Sequence, residues 1–192
     1  MNNLKYEKKY QNEIIIGIDE VGRGPLAGPV VIAGVILENY NLIEITDSKK
    51  LSKLKIKKLA YEIINNATYI QIEEVSASEI DEKGIKNVVK EKMKKILDES
   101  PATCGLIDYE KIESNKIVES ITKGDFNSMS IGAASIIAKF YRDQLMKNIG
   151  KKYPNYHFEQ HVGYGTKKHI EAIEKFGPIL GIHRFSYKPL RK

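Results

Sequence analysis

The sequence predicts an α/β domain built on a mixed sheet, and three observations carry that prediction. Two short runs rich in Val and Ile, residues 13–18 and 29–37, stand near the front of the chain with glycine-rich turn chemistry between them. From Ser52 onward, helical and strand periodicities alternate. A helix-length segment from Ser130 is apolar on every side and filled with small residues, which suits a helix pressed against a sheet.

Each element follows from its own pattern. The first two runs read as buried strands, the earlier ending in Gly17-Ile18-Asp19-Glu20. Ser52 is a suitable N-cap for a helix reaching residue 66, with Ile56, Leu59, Ala60, Ile63 and Ile64 on one face and Lys50, Lys53 and Lys57 on the other. Residues 68–75 alternate as a strand, and residues 84–97 carry Ile85, Val88, Val89, Met93, Ile96 and Leu97 at helical spacing. Gly105-Leu106-Ile107-Asp108 is a brief strand ending in a carboxylate, and residues 117–121 are another. The buried helix spans 130–146. A last helix starts at Thr166 as N-cap, turns Ile170 and Ile173 inward and stops at Gly177-Pro178. The last third, from about Ser130, is expected to be helical and loop-like and to cap the sheet. No repeat, linker or low-complexity segment interrupts it.

Composition excludes several classes. With 42% hydrophobic residues, 14 Gly and 6 Pro in 192 residues, the chain is neither a disordered tail nor a collagen-like polymer. The longest apolar run, residues 30–37, is interrupted by Gly34 and falls far short of the ~20 residues that cross a bilayer, so a soluble protein without a membrane partner is expected. Residues 1–12 are polar and lysine-rich, unlike a secretory signal, and the single Cys104 cannot form an internal disulfide, which together point to the cytoplasm. The 31 Lys+Arg against 25 Asp+Glu leave a net charge of +6, a weak pointer to a polyanionic partner.

Chemistry concentrates around Asp19-Glu20-Val21-Gly22-Arg23-Gly24-Pro25. Neighbouring strand side chains point to opposite faces, so Asp19 and Glu20 are expected to share a site only if the chain turns at Glu20, as the following glycines permit. Gly22 and Gly24 also let backbone N–H groups approach a ligand closely. No Gly-Lys-Ser/Thr follows, and Gly22, Gly24 and Gly28 are misspaced for a dinucleotide fingerprint, so a nucleotide cofactor is not expected. Asp108 ends a strand and Asp125 precedes the small-residue helix. Four acids at element ends form a hard-oxygen set suited to Mg²⁺ or Mn²⁺ and to metal-dependent phosphoryl transfer. The plain alternative is an acidic turn, since 25 acidic residues offer many such sets.

The run from Gly17 to Val30 resembles the signature of the ribonuclease HII family. The likeness continues through Thr46-Asp47-Ser48-Lys49-Lys50-Leu51, Ile107-Asp108, Lys123-Gly124-Asp125, the stretch 130–139 with Arg142-Asp143, Tyr153-Pro154, His161-Val162-Gly163-Tyr164-Gly165-Thr166 and His183-Arg184. It covers about residues 14–189. Ribonuclease HIII typically differs where Arg23 stands and carries a long N-terminal extension, so type HII is favoured. The resemblance implies one ribonuclease H-like catalytic domain over 1–192, a central mixed sheet flanked by helices. Residues 1 to about 12 would be a lead-in, and about 150–192 a helical and loop region contributing to substrate binding.

The implied activity is endonucleolytic cleavage of the RNA strand of RNA–DNA hybrids, and cleavage 5′ of ribonucleotides embedded in DNA, by a monomer. Asp19, Glu20, Asp108 and Asp125 match the family's metal-binding acids. Two ions, Mg²⁺ or Mn²⁺ and about 4 Å apart, would activate water and stabilise the leaving oxygen, giving 3′-OH and 5′-phosphate ends. Gly22, Arg23 and Gly24 match the turn that recognises the ribose 2′-OH, and Tyr164 the tyrosine that reads the RNA–DNA junction. Ser48 and Lys49 match a phosphate-contacting stretch, and Arg184 is counted with the substrate-binding residues. Two positions depart from the pattern: Tyr109 stands where Gly is common and is expected to alter access to the metals, and Gly132 stands where Ala is common.

Plainer readings accompany these roles. Lys53, Lys55, Lys57 and Lys58 are a solvated helix face. His157 and His161, four apart, pack and hydrogen-bond rather than ligate, having no third ligand nearby. Arg23 could be a structural ion-pair partner, Tyr164 a turn aromatic and Arg184 a tail charge. The rivals are a ribonuclease H-like junction nuclease, indifferent to the 2′-OH, and a catalytically idle hybrid-binding protein.

Overall fold

The computed structural model describes residues 4–40 and 51–191. Five strands, β1 (Ile15–Val21), β2 (Val30–Leu37), β3 (Ala67–Val75), β4 (Cys104–Asp108) and β5 (Ile117–Ile121), form one sheet in the order β3-β2-β1-β4-β5. The β3-β2-β1 half is antiparallel, and β4 and β5 add in parallel to β1, so the expected mixed sheet is present. Eight α-helices accompany it among the described residues: α1 (Lys5–Lys9), α2 (Lys53–Asn66), α3 (Ala77–Lys83), α4 (Ile85–Glu99), α5 (Gly124–Asn127), α6 (Met129–Lys152), α7 (Phe158–His161) and α8 (Lys167–Phe176), with one 3-10 turn at Pro154–Tyr156.

Strand parity sets the layers. On β2, Val31, Ala33, Val35 and Leu37 pack with Ile56, Leu59 and Ile63 of α2 and with Ala133, Ile136 and Ile137 of α6. Val30, Ile32 and Ile36, together with Ile16 and Ile18 of β1, face Val88, Val89, Met93, Ile96 and Leu97 of α4. A sheet buried on both faces explains why the first two strands read as continuous apolar runs rather than alternating ones.

Helix α6 is the closest neighbour of the sheet. Its first ten residues, Met129 to Ala138, are all buried. A Cβ built on Gly17 of β1 would lie 2.0 Å from the Ser130 carbonyl carbon, so helix and strand backbones touch where neither carries a large side chain. Further along, Ser135, Lys139, Arg142 and Met146 recur at spacings of four, three and four, one stripe along the helix.

Several boundaries differ from expectation. β1 runs on to Val21, whose partner is Val31, so the strand does not turn at Glu20. Ile64 is exposed on α2, where Ile56, Leu59, Ala60 and Ile63 already fill the buried stripe. On α8 the deepest residues are His169 and Ala172 rather than Ile170 and Ile173, because this helix packs on a cluster of rings. Helices α1, α3 and α5 were not expected. Helix α3 is announced by a Ser76/Glu79 capping box, in which the Ser76 hydroxyl accepts from the Glu79 N–H and the Glu79 carboxylate accepts from the Ser76 N–H. Helix α1 lies in the polar lead-in, where buried Glu7 accepts from the Ser128 hydroxyl and the Ser130 N–H and so fixes the start of α6.

Gly17→Ala is expected to lower stability by on the order of 3 kcal/mol, because backbone on both sides leaves nothing flexible to yield. Equilibrium urea unfolding measures it, and a change under 0.5 kcal/mol would contradict this packing.

Candidate active site

Asp19, Glu20, Asp108 and Asp125 line one cleft of about 500 Å³, together with Gly22, Arg23, Gly24, Ser135, Lys139 and Tyr164. The two adjacent acids reach it without a turn at Glu20. The parallel ladder between β1 and β4 runs as far as Ile18 opposite Ile107, and β4 ends at Asp108. Beyond that point β1 is paired only with β2, and its β4-side edge is open, so side chains from its two faces can meet around that edge. Asp19 faces α6, where the Ser135 hydroxyl donates to it, and Glu20 turns toward Arg23 from the other side. Asp108 accepts from the Gly124 N–H at 2.6 Å, which docks α5 and its Asp125 at the cleft.

Like charges crowd this space. Burial, then the charges of Glu20 and Asp108, hold the Asp19 carboxyl well above the usual carboxylate range. Burial also pushes Glu20 up to about 7, against the lowering effect of Arg23. Arg23 sits between two carboxylates: Nε donates to Glu20 and Nη2 to Glu110 at 2.8 Å. Glu110, 4% exposed, was not singled out from the sequence, and Lys90 approaches its other oxygen at 3.6 Å. Among the described residues no three His, Cys, Asp or Glu side chains are gathered into a ready ligand group. Arg23 occupies one oxygen of Glu20. The other oxygen, Oε2, is buried with no hydrogen-bond partner. An orphaned carboxylate oxygen beside three further acids is the donor set that a hard divalent cation suits.

The turn after β1 is shaped from beneath. Gly22 has φ +103°, and a Cβ there would lie 2.2 Å from Arg142 Nε. Arg142 is buried and donates to the carbonyls of Pro29 and Ala27. Arg184, placed by the sequence among substrate contacts, is wholly buried instead and donates to the carbonyls of Gly22, Arg23 and Gly28 at 2.7 to 3.1 Å. It acts on the turn. Because a trans peptide sets C=O and the following N–H in opposite directions, drawing the Gly22 and Arg23 carbonyls inward aims the Arg23 and Gly24 N–H groups outward, away from the buried guanidinium.

Tyr164 stands beside this turn, its ring carbon Cε1 at 3.5 Å from a Cβ built on Gly24. Leu26 and Ala27 both donate to the Gly163 carbonyl, which joins the tyrosine loop to the turn. Ser48 and Lys49 lie outside the described residues. Tyr109 is not part of the cleft lining: it is 69% exposed, at φ +57°, and the Glu110 N–H reaches back to the Asp108 carbonyl at 2.6 Å. This is a γ-turn of the strained, positive-φ kind, so the preference for Gly here is conformational. It aims Glu110 at Arg23. His157 and His161 do not form a metal pair: His161 is buried and bonded to the Tyr156 carbonyl, while His157 lies 3.8 Å from Glu159. Ser135, Lys139 and Arg142 were also missed, although polar residues at helical spacing in an apolar helix are a readable signal.

Comparison with known proteins agrees with this architecture. A family model described as ribonuclease HII matches residues 16–190. The chain is 43% identical over 191 residues to the ribonuclease HII of Macrococcus caseolyticus, covering 98% of this chain and 72% of that protein. It superimposes on ribonuclease HII of Archaeoglobus fulgidus, solved in complex with PCNA, with TM-score 0.81 and 25% identity over 93% of this chain and 97% of that one. Bst-RNase HIII, solved in complex with Mn²⁺, shares the fold at TM-score 0.66 and 18% identity, covering 92% of this chain and 67% of that one.

Two outcomes test the electrostatics and the turn. Asp19→Asn keeps an oxygen for the Glu20 N–H and removes a charge, so with chelator at pH 8 it is expected to raise stability by about 1–3 kcal/mol. The raised carboxyl pKa values destabilise the protein as pH rises through about 7. The gain should therefore shrink as pH falls toward 4, and no gain in thermal unfolding at pH 8 would contradict the repulsion. Tyr109→Gly should add about 1 kcal/mol by releasing the positive φ while leaving cleavage rates within twofold. A fivefold rate change would return Tyr109 to the site.

Proposed function

Because the chain belongs to the ribonuclease HII family, metal-dependent hydrolases that cleave RNA in RNA–DNA hybrids and at ribonucleotides embedded in DNA, we propose the following division of labour among its residues. Asp19, Glu20, Asp108 and Asp125 hold two divalent cations, Mg²⁺ or Mn²⁺, and the observation that supports this is the buried, unpartnered Oε2 of Glu20 in a cleft with the other three acids. When bound, such ions lower the pKa of an attacking water and stabilise the departing 3′ oxygen, which leaves 3′-OH and 5′-phosphate ends. The Mn²⁺ of Bst-RNase HIII is in keeping with this choice.

The protein's own groups do the rest. Ser135 holds the Asp19 carboxylate by a hydrogen bond, and the Gly124 N–H holds that of Asp108. Arg23, anchored by Glu110, keeps positive charge beside Glu20 and steadies an otherwise repulsive site. The outward N–H groups of Arg23 and Gly24 read the ribose 2′-OH, and a site built to hydrogen-bond a hydroxyl rejects the substrate that lacks it. The half-exposed Tyr164 ring, seated against Gly24, stacks on the sugar that follows the ribonucleotide. Ser48 and Lys49 contact phosphate, a role that rests on the motif resemblance alone. The chain acts as one monomeric catalytic domain in the cytoplasm, with the region from about residue 150 contributing substrate contacts. No helix among the described residues is long and apolar enough to cross a membrane.

The test is a duplex carrying a single ribonucleotide, incubated with Mg²⁺ or Mn²⁺, with both ends mapped. Cleavage 5′ of the ribonucleotide is expected, and an all-DNA duplex should resist. Asp108→Asn should lower turnover by more than a hundredfold while salt-sensitive hybrid binding persists. Tyr164→Ala should impair the single-ribonucleotide substrate at least tenfold more than a long hybrid, with Tyr164→Phe less affected. Efficient cutting of all-DNA duplex would indicate a junction nuclease, and binding without cleavage under either metal an idle binding protein.

A further inference from the structure

Behind Tyr164 lie three buried histidines that the reading above leaves unused. His161 and His169 stack with centroids 4.5 Å apart, and His169 Nε2 lies 3.2 Å from His183 Nε2. Their backbone partners fix where the protons sit. The Ile179 N–H can only donate, and it meets His183 Nδ1 at 2.8 Å, so Nδ1 is bare and the ring proton is on Nε2. The Tyr164 carbonyl can only accept, and it meets His169 Nδ1 at 2.9 Å, so that nitrogen carries the proton and Nε2 accepts from His183. The result is one directed chain, from Ile179 N–H through His183 and His169 to Tyr164 O. His161 completes the frame: its carbonyl accepts from the Tyr164 N–H at 2.9 Å, and its Nδ1 accepts from the Gly163 N–H at 3.3 Å.

We propose that His169 and His183 are positioning residues that hold Tyr164 in place to read the ribonucleotide junction. The inference rests on the role given to Tyr164 above. Both peptide groups of Tyr164 are engaged by the histidine cluster, so the ring is carried on a backbone that cannot swing independently. His183 is followed directly by Arg184, whose guanidinium holds the 22–24 turn. One dipeptide therefore sets both recognition elements, the turn through Arg184 and the tyrosine through His183 and His169. Burial pushes His183 down to about 4 and holds His169 and His161 below the usual imidazole range, in keeping with three neutral rings.

A double-mutant cycle on the single-ribonucleotide duplex tests the relay. His169→Leu deletes the side-chain donor to the Tyr164 carbonyl, leaving only the Thr166 N–H at 2.8 Å, which does not tie that carbonyl to the histidine cluster, and should reduce kcat/KM at least tenfold. His169→Asn, whose amide nitrogen can occupy the Nδ1 position, should recover most of that loss. In a Tyr164→Ala background, His169→Leu should cost less than threefold. A loss there as large as in the parent would overturn the proposal, since it would show that the histidine acts elsewhere. If Tyr164→Ala is damaging and His169→Leu is not, the relay alone falls; if Tyr164→Ala costs nothing, the reading of Tyr164 falls and the relay with it. A measurement independent of activity guards against misfolded variants: imidazole ¹⁵N shifts of the folded parent should show His169 protonated at Nδ1 and His183 at Nε2. His183→Asn, which keeps an acceptor for the Ile179 N–H, should change the His169 pattern. Finding His169 protonated at Nε2 in the parent would overturn the relay.

Discussion

Two buried guanidinium groups with carbonyl oxygens for partners are the constraint on which the rest of this structure depends. Arg184 directs four hydrogen bonds, and Arg142 two, into the carbonyls of the chain between Gly22 and Pro29. At roughly 1.5–3 kcal/mol for each bond to a charged group, the four from Arg184 are of the same size as the several kcal/mol needed to bury its charge. Net stabilisation is therefore small, and the gain is shape. A flat fork with donors in fixed directions dictates where each carbonyl points, which a lysine ammonium would not do. Burial lowers both pKa values, Arg142 to about 10, so both remain charged at neutral pH.

The cleft shows the opposite balance. Its carboxylates are placed by the end of β4 and by α6 and α5, not by mutual attraction, and the charge of Asp108 adds to burial in raising the pKa of Asp19 and of Glu20. The fold supplies the stability that this concentration of negative charge consumes, through a sheet buried on both faces and a helix in backbone contact with it. Arg23, held in place by Glu110, moderates the repulsion locally, although the charge of Glu110 itself adds to it. At Asp19 and Glu20 the concentration of charge in the cleft therefore works against stability.

Most of the fold was legible because its signals are local. The strands at 30–37 and 104–108, the Ser52 and Thr166 caps and the apolar start of α6 each announce themselves within a few residues. The four acids were legible as a set through their places at element ends and the family signature. Less legible was how Asp19 and Glu20 meet, since that depends on the length of β4, a strand more than eighty residues away in sequence. Glu110 and the histidine relay were hidden for the same reason: a buried carboxylate or imidazole looks like any surface one until its long-range partners are known. Arg184 is the sharpest case, read from the sequence as a substrate contact, or more plainly as a tail charge, and found in the fold as a wholly buried strut. Tyr109 was visible as an oddity, but its meaning lay in a backbone angle and not in its ring.

The polar stripe on α6 has a consequence for how this protein can vary. Ser135 meets the Asp19 carboxylate, Lys139 lines the cleft, Arg142 grips the chain from Ala27 to Pro29, and Met146 fills the space beneath Gly28 and Gly163. From Ser135 to Met146 the helix advances about 16 Å, at 1.5 Å per residue. It thus works as a ruler, spacing the contact to Asp19, the cleft wall and the supports of the 27–29 chain and of Gly163 along one axis. Substitutions along it change one graduation at a time. A single inserted residue would rotate everything beyond it by about 100° and advance it by about 1.5 Å, detaching the contact to Asp19 from the supports of the 27–29 chain at one stroke. Length variation is accordingly expected in the loops of this fold and not between residues 135 and 146.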